Sequence, residues 1–341
     1  MSKGGQVQGD ESVAGEALWR PSPHQHRIDP ELAAMLPLTV EIPFEQVDRA
    51  RELEAQKTAE SFGREALTLE AAVETRDDVV ARTDAPDVPI RVYRPKHGSQ
   101  GLGAFVFFHG GGFALGTLDS EHNRCAYLAK EAECVVVSVG YRLAPEHRFP
   151  AGFDDCFDAV AWVAENAREL GVVPGRLAVG GASAGGALAA GVALRARDEG
   201  APLLSFQLLI YPVLDLRMQT PSMEEFSDAP TWDAVSNRAM WGYYLPGDDT
   251  DVAYASPALA ESFEGLPPTM ITATELDCLR DEAVEYALAL SRAGVPVELH
   301  MYPGAFHGFD LAAPHAEISH RTLVDQARAL GKALRRQPRT E

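Results

Sequence analysis

Hydrophobic and polar positions follow two different periods along this chain, and the way the periods alternate predicts its architecture. Apolar runs recur at 103–108 (GAFVFF), 134–139 (CVVVSV), 177–179 (LAV), 206–211 (FQLLIY), 270–274 (MITAT) and 297–301 (VELHM). Continuous apolar runs of this length are read as strands buried on both faces of a parallel sheet. Three earlier strand candidates, at 67–73, 79–82 and 89–93, alternate or carry charge, as antiparallel strands at a sheet edge do. Helical stretches lie between the runs, at 120–130, 152–170, 186–198, 282–293 and 318–335. Regular alternation of buried strand and helix predicts an α/β fold, with a mostly parallel sheet covered by helices on both faces.

Two stretches stand outside that alternation. Residues 1 to about 28 are polar and rich in Gly, Ser, Gln and His, so they are expected to be poorly ordered unless they dock on something. After them, 30–36 predicts a helical turn or two, and 44–61 has the spacing of an amphipathic helix whose apolar face must cover part of the core. From about 216 to 255 the composition turns polar, with Trp232, Trp241, Tyr243, Tyr244 and several prolines. An insertion of that length leaving the carboxyl end of a strand is placed to form a lid. The chain is therefore divided into a tail with cap helices at 1–62, core at 63–215 and 256–341, and a cap insertion at 216–255.

Charge and composition narrow the function. With 46% apolar and 23% charged residues the chain reads as an ordinary soluble globular protein. A net charge of −20 repels phosphate backbones and anionic headgroups, so neither nucleic acid nor a membrane is an expected partner. The four cysteines, Cys125, Cys134, Cys156 and Cys278, lack metal-ligand or disulfide-framework spacing and read as buried free thiols. No metal or cofactor is called for. The polar N-terminal stretch lacks an apolar core and no run of about 18 apolar residues occurs, so a cytoplasmic location is expected. Nothing in the chain requires a homodimer or excludes one.

The chemistry begins at Gly181-Ala182-Ser183-Ala184-Gly185, which fits G-x-S-x-G at a strand-to-helix junction. Glycines on both sides allow the strained turn that lifts a serine hydroxyl clear of the backbone. A hydroxyl is a weak nucleophile and needs a base, an acid to orient the base, and donors for an oxyanion. His109-Gly110-Gly111-Gly112 directly follows an apolar strand, where glycines let backbone N–H groups approach a substrate oxygen. Downstream, Asp277 and His307 each sit on a loop after a strand, and the order Ser183, Asp277, His307 is that of an α/β-hydrolase triad. Asp281 follows the same strand as Asp277. It precedes the periodic run Ala283, Tyr286, Ala287 and Leu290 and is expected to cap that helix, contributing on the order of 1 kcal/mol.

Over nearly its whole length beyond the polar N-terminus, the chain resembles the bacterial hormone-sensitive-lipase-like carboxylesterases, an α/β-hydrolase family. The motifs that carry the resemblance are HGGGF at 109–113, YRLAPE at 141–146, FPAGFDD at 149–155, GASAGG at 181–186, DCLRDE at 277–282 and FHGF at 306–309. It implies an eight-stranded, mostly parallel sheet with a helical cap. It also implies Ser183 as nucleophile, His307 as base, Asp277 as the acid that orients it, and the backbone N–H groups of Gly111, Gly112 and Ala184 as the oxyanion hole. Two positions depart from the family pattern: Ala182, where Asp or Thr is common, and Cys278, where Pro is common. YRLAPE and FPAGFDD read as structural, with Arg142 and Glu146 expected to pair.

The function expected is a cofactor-free serine carboxylesterase acting on small-molecule esters of short to medium acyl chain through an acyl-enzyme. The same triad would also serve a lactonase, a deacetylase or an arylamide hydrolase. A non-catalytic ligand receptor on a hydrolase scaffold is the reading from another class.

Overall fold

In this computed structural model the structure describes residues 23–38, 42–97, 101–245, 247 and 252–335, without the side chains of 38 and 59–70. The polar tail at 1–22 and positions 246 and 248–251 of the insertion lie outside the described residues. In chain order the elements are α1 (Pro30–Met35), α2 (Val47–Glu70), β1 (Val73–Val80), β2 (Val88–Pro95), β3 (Leu102–Phe108), α3 (His122–Glu131) and β4 (Cys134–Val139). Then come α4 (Ala151–Glu165), β5 (Val172–Ala182), α5 (Ala184–Glu199), β6 (Phe206–Ile210), α6 (Pro221–Glu225) and α7 (Ala234–Tyr244). The chain closes with β7 (Thr269–Leu276), α8 (Arg280–Arg292), β8 (Val297–Phe306), α9 (Phe309–Ala312) and α10 (Glu317–Arg335).

The apolar runs become one eight-stranded sheet in the order β1-β2-β4-β3-β5-β6-β7-β8. β2 runs antiparallel to β1 and β4, and every later pair is parallel. β3 and β4 are buried at every position because helices cover both faces. Alternate side chains of β3 enter different cores. Ala104, Val106 and Phe108 pack with residues of α4 and α5, whereas Phe105 and Phe107 pack with Cys125, Leu128, Leu330 and Leu334 of α3 and α10. All four cysteines are buried free thiols.

Several expectations need correction. Residues 67–73 and 79–82 are not two strands. α2 runs through Glu70, and a single edge strand, β1, spans Val73–Val80 with only its two ends buried. Its middle, ETRDDV, has no apolar period to read, so sequence alone could not place it. The helix expected over 152–170 ends at Glu165, and a turn carries the chain into β5. Arg142 does not pair with Glu146. Its guanidinium embraces the buried carboxylate of Asp155 at 2.8 Å, which Arg82 also approaches at 2.7 Å. Glu146 instead receives Arg51 of α2 at 2.7 Å.

That last pair matters for the site. Arg51 also donates to the carbonyls of Ala114 and Ala144, both at 2.9 Å, so α2 is bound to the glycine loop that follows β3. α7 meets the same region through Tyr244, whose ring stacks on Phe113 with centroids 3.7 Å apart.

Candidate active site

The carboxyl ends of β3, β5, β7 and β8 converge on one place, and each delivers a residue the sequence singled out. At the end of β5, Ser183 adopts φ 57° and ψ −118°, in the positive-φ region that a residue with a Cβ adopts only under strain. The surroundings hold it there. Its N–H donates to the Ile210 carbonyl at 2.8 Å, and its carbonyl accepts from Gly186 at 2.9 Å and Val213 at 3.1 Å. The glycines are required by contact. A Cβ on Gly181 would lie 2.5 Å from the Phe108 carbonyl oxygen, and one on Gly185 would lie 2.6 Å from that of His109 and overlap that of Phe108. Ala182 and Ala184 are fully buried.

His307 stands just beyond β8. Its Nδ1 is 2.8 Å from Asp277 Oδ2 and its Nε2 is 2.9 Å from Ser183 Oγ. A carboxylate can only accept, so Nδ1 carries the hydrogen and Nε2 presents its lone pair to the serine hydroxyl. Asp277 is itself fixed from two sides. Thr274 Oγ1 donates to Oδ2 at 2.7 Å, and the Leu279 N–H donates to Oδ1 at 2.9 Å. Asp281 does not share this role, and neither does it cap its own helix. It accepts from the Ser222 N–H at 2.8 Å and so caps the start of α6 instead. Cys278, at the position that departs from the family pattern, is buried, and its carbonyl accepts from Ser222 Oγ at 2.8 Å.

The glycine loop turns over the serine. Gly111 and Gly112 have φ 106° and 58°, which glycine adopts without strain. Neither N–H has a backbone acceptor among the described residues. Ala184 opens α5, so its N–H has no carbonyl one turn earlier to bond. Among the described residues, none of these three N–H groups has a backbone acceptor. Above them sit aromatic rings from the N-terminal segment and the insertion. A Cβ on Gly112 would lie 2.5 Å from Phe44 Cζ and 2.9 Å from Trp232 Cη2, and the Trp232 ring is 6.0 Å from that of His307. Thr231 Oγ1 donates to the His307 carbonyl. Ser183 keeps only 6% of its surface exposed.

A buried polar cluster beneath the site was not legible from sequence. Arg124 of α3 reaches Glu121 at 2.5 Å, Asp310 at 2.9 Å and the Tyr211 hydroxyl at 3.2 Å. Tyr211 donates to Asp310 at 2.9 Å and sets its ring edge-on to His307, with centroids 4.8 Å apart. Burial pushes the Glu121 carboxyl upward, opposed chiefly by Arg124. Glu121 precedes α3 and Arg124 lies in its first turn, among other polar residues, so the sequence there holds nothing that marks them out. A second buried carboxyl, Glu282, accepts from the Leu214 N–H at 2.6 Å, and desolvation pushes its pKa well up. Among the described residues no group of three or more His, Cys, Asp or Glu could hold a metal. No described helix is long and apolar enough to cross a membrane.

Comparison with known proteins places this geometry. The family model for the alpha/beta hydrolase fold matches residues 105–311. Carboxylesterase NlhH of Mycobacterium tuberculosis is 45% identical over 252 residues, covering 72% of this chain and 79% of that protein. Ethyl acetate hydrolase of Pseudomonas putida is 34% identical over 293 residues, covering 83% of this chain and 91% of that protein. Among solved structures, a bacterial heroin esterase superposes with TM-score 0.87 at 40% identity, covering 91% of this chain and 99% of that one.

His109 gives the site a measurable pH response. Its Nδ1 lies 2.8 Å from the Gly110 carbonyl, so that nitrogen is the donor, and Nε2 is buried without a partner. Complete burial pulls its pKa from 6.5 down to about 4. The unfolded chain takes up a proton below pH 6.5 that the folded chain refuses until about pH 4, so stability falls as pH drops through that window. Between pH 7 and pH 5 this one group removes about 2 kcal/mol. Urea unfolding at the two pH values is expected to show that extra loss in the wild type and not in His109→Gln.

Proposed function

That this chain belongs to the hormone-sensitive-lipase-like carboxylesterases of the alpha/beta hydrolase fold is the premise from which we propose the residues of its chemistry. The protein is a serine carboxylesterase. In the proposed mechanism Ser183 Oγ attacks the ester carbonyl carbon while its proton passes to His307 Nε2. The carbonyl oxygen becomes an oxyanion that accepts from the N–H groups of Gly111, Gly112 and Ala184. Collapse of the tetrahedral species breaks the bond to the alcohol, which leaves with the proton from His307. Water then attacks the acyl-enzyme, its proton passing through His307, and the acid departs as Ser183 regains its hydrogen. Asp277 holds the imidazole in the tautomer this requires. The observation that carries the reading is the unbroken chain Ser183 Oγ, His307 Nε2, His307 Nδ1, Asp277 Oδ2, with links of 2.9 and 2.8 Å.

The proposed substrates are esters of short to medium acyl chain. Support comes from the crowding of Phe44 and Trp232 over Gly112, which leaves little room beside the glycine loop, and from a relative named for ethyl acetate. The residues of 23–62 and 216–255 are proposed as a cap. Phe44 packs on Trp232 with centroids 4.9 Å apart, and the Tyr243 hydroxyl donates to the Glu45 carbonyl at 2.8 Å. The cytoplasm is the proposed site of action, in keeping with four free thiols and no disulfide among the described residues.

Asp277→Asn is expected to lower kcat by on the order of 10⁴, by analogy with other serine hydrolases, because the imidazole loses its tautomer and its partner. Asp281→Asn, with circular dichroism confirming that both variants fold, is expected to leave kcat nearly intact. A larger loss in Asp281→Asn would reverse the assignment. For the substrate class, kcat/KM on p-nitrophenyl esters is expected to favour butyrate over palmitate by on the order of tenfold or more. Equal turnover of long-chain emulsified triglyceride would sink the short-chain reading.

A further inference from the structure

Hydrolysis needs two separate alignments at the same moment: the base must meet the Ser183 hydroxyl, and the N–H donors must meet the oxygen that develops charge. The sheet sets where each strand ends, but the glycine loop leaves β3 and the histidine loop leaves β8, and three strands lie between them. Hydrogen bonds of the sheet do not reach those loops. One side chain reaches toward both. Arg124 Nε donates to Glu121 Oε2 at 2.5 Å, and the Glu121 carboxylate lies against the glycine loop, where a Cβ on Gly110, the residue immediately before Gly111, would lie 3.8 Å from Glu121 Oε1. Arg124 Nη1 donates to Asp310 at 2.9 Å, three residues beyond His307, and its Nη2 donates to the Tyr211 hydroxyl at 3.2 Å. Tyr211 both bonds Asp310 and carries the ring that lies edge-on to His307.

Stability alone does not account for this arrangement. The side chains of Glu121, Arg124 and Asp310 are at most 3% exposed, and burying such ions costs as much solvation as the pairing returns. A well-packed apolar set would be as stable. A planar guanidinium with donors on three nitrogens, by contrast, can fix several acceptors in one geometry, which an ammonium cannot do.

Resting on the triad and oxyanion reading above, we propose that Arg124 is a positioning residue for the esterase reaction. It holds the glycine loop, through Glu121 and Gly110, in register with the histidine loop, through Asp310 and Tyr211. Arg124 touches no substrate atom in this role. Its loss lets the two loops drift relative to each other, and a displacement of about 1 Å at a reacting centre is enough to cost on the order of 100-fold in rate.

The test uses the full chain with p-nitrophenyl butyrate as substrate and a fluorophosphonate, reacted to completion, to count competent Ser183. For Arg124→Met, kcat per titrated site is expected to fall by on the order of 10- to 100-fold with KM little changed, and Arg124→Lys is expected to recover part of the loss. Glu121→Gln keeps the size of the side chain beside Gly110 while removing the charge that orients Arg124, and it is expected to lose on the order of tenfold. It decides the matter if Arg124→Met fails to fold. A merely structural role would lower the number of titrated sites or the unfolding temperature and leave kcat per site unchanged. Wild-type kcat per site in the folded variants, or a loss confined to KM, would overturn the proposal. Failure of the wild-type protein to react at Ser183 would overturn the esterase site itself, and Arg124 would fall with it.

Discussion

Everything at this site depends on a backbone-to-backbone contact that no side chain could enter. Gly181 and Gly185 press the β5-to-α5 turn against the Phe108 and His109 carbonyls at the end of β3, so closely that a methyl group on either glycine would overlap an oxygen. The contact sets the distance between the serine turn and the glycine loop without any adjustable rotamer. It also explains why Ser183 can stay at φ 57°. The strain is opposed by hydrogen bonds on both sides of the residue and by a turn that has nowhere else to go.

Around that fixed point the protein places polar groups where water is excluded. Buried donors and acceptors act strongly when paired and are costly when not. Asp277 is paired three times over, by Thr274, the Leu279 N–H and His307. Arg124 is shared among two carboxylates, a phenol and, at 3.4 Å, the Gln326 side-chain carbonyl. His109 is one exception. One of its nitrogens is unpartnered, its ring lies flat on Tyr141 with centroids 4.2 Å apart, and burial keeps it neutral. Aromatic groups then close the top, with Phe44 against Trp232 and the Trp232 ring 6.0 Å from that of His307.

The buried strands and the helices between them were legible because a strand covered on both faces leaves a continuous apolar run. Ser183 and Asp277 were legible as candidates because each stands at the end of such a run, where loops carry chemistry. His307 follows β8, an edge strand whose 297–301 stretch is half-buried or exposed and not buried on both faces as expected. β1 was not, since an exposed edge strand made of ETRDDV has no period to detect. The partners of Arg142 and Glu146 were misassigned for a related reason. Four residues apart in sequence, they looked like neighbours, yet the fold turns one toward Asp155 and brings Arg51 to the other. Arg124 and Asp310 are 186 positions apart, and only the packing of α3 beside the histidine loop brings them together. Pairings of that kind are set by tertiary structure and leave no local mark. Asp281 shows the same limit at short range, because the helix start it satisfies belongs to α6.

The most direct measurement is a crystal structure of the protein after reaction with diethyl p-nitrophenyl phosphate, which leaves a tetrahedral phosphorus where the ester carbon would be. The account predicts a covalent bond from phosphorus to Ser183 Oγ. It also predicts one phosphoryl oxygen at about 3 Å from the N–H groups of Gly111, Gly112 and Ala184, with His307 Nε2 facing the side from which the alcohol leaves. A phosphorus bonded to any other residue, or a phosphoryl oxygen turned away from those three N–H groups, would contradict it.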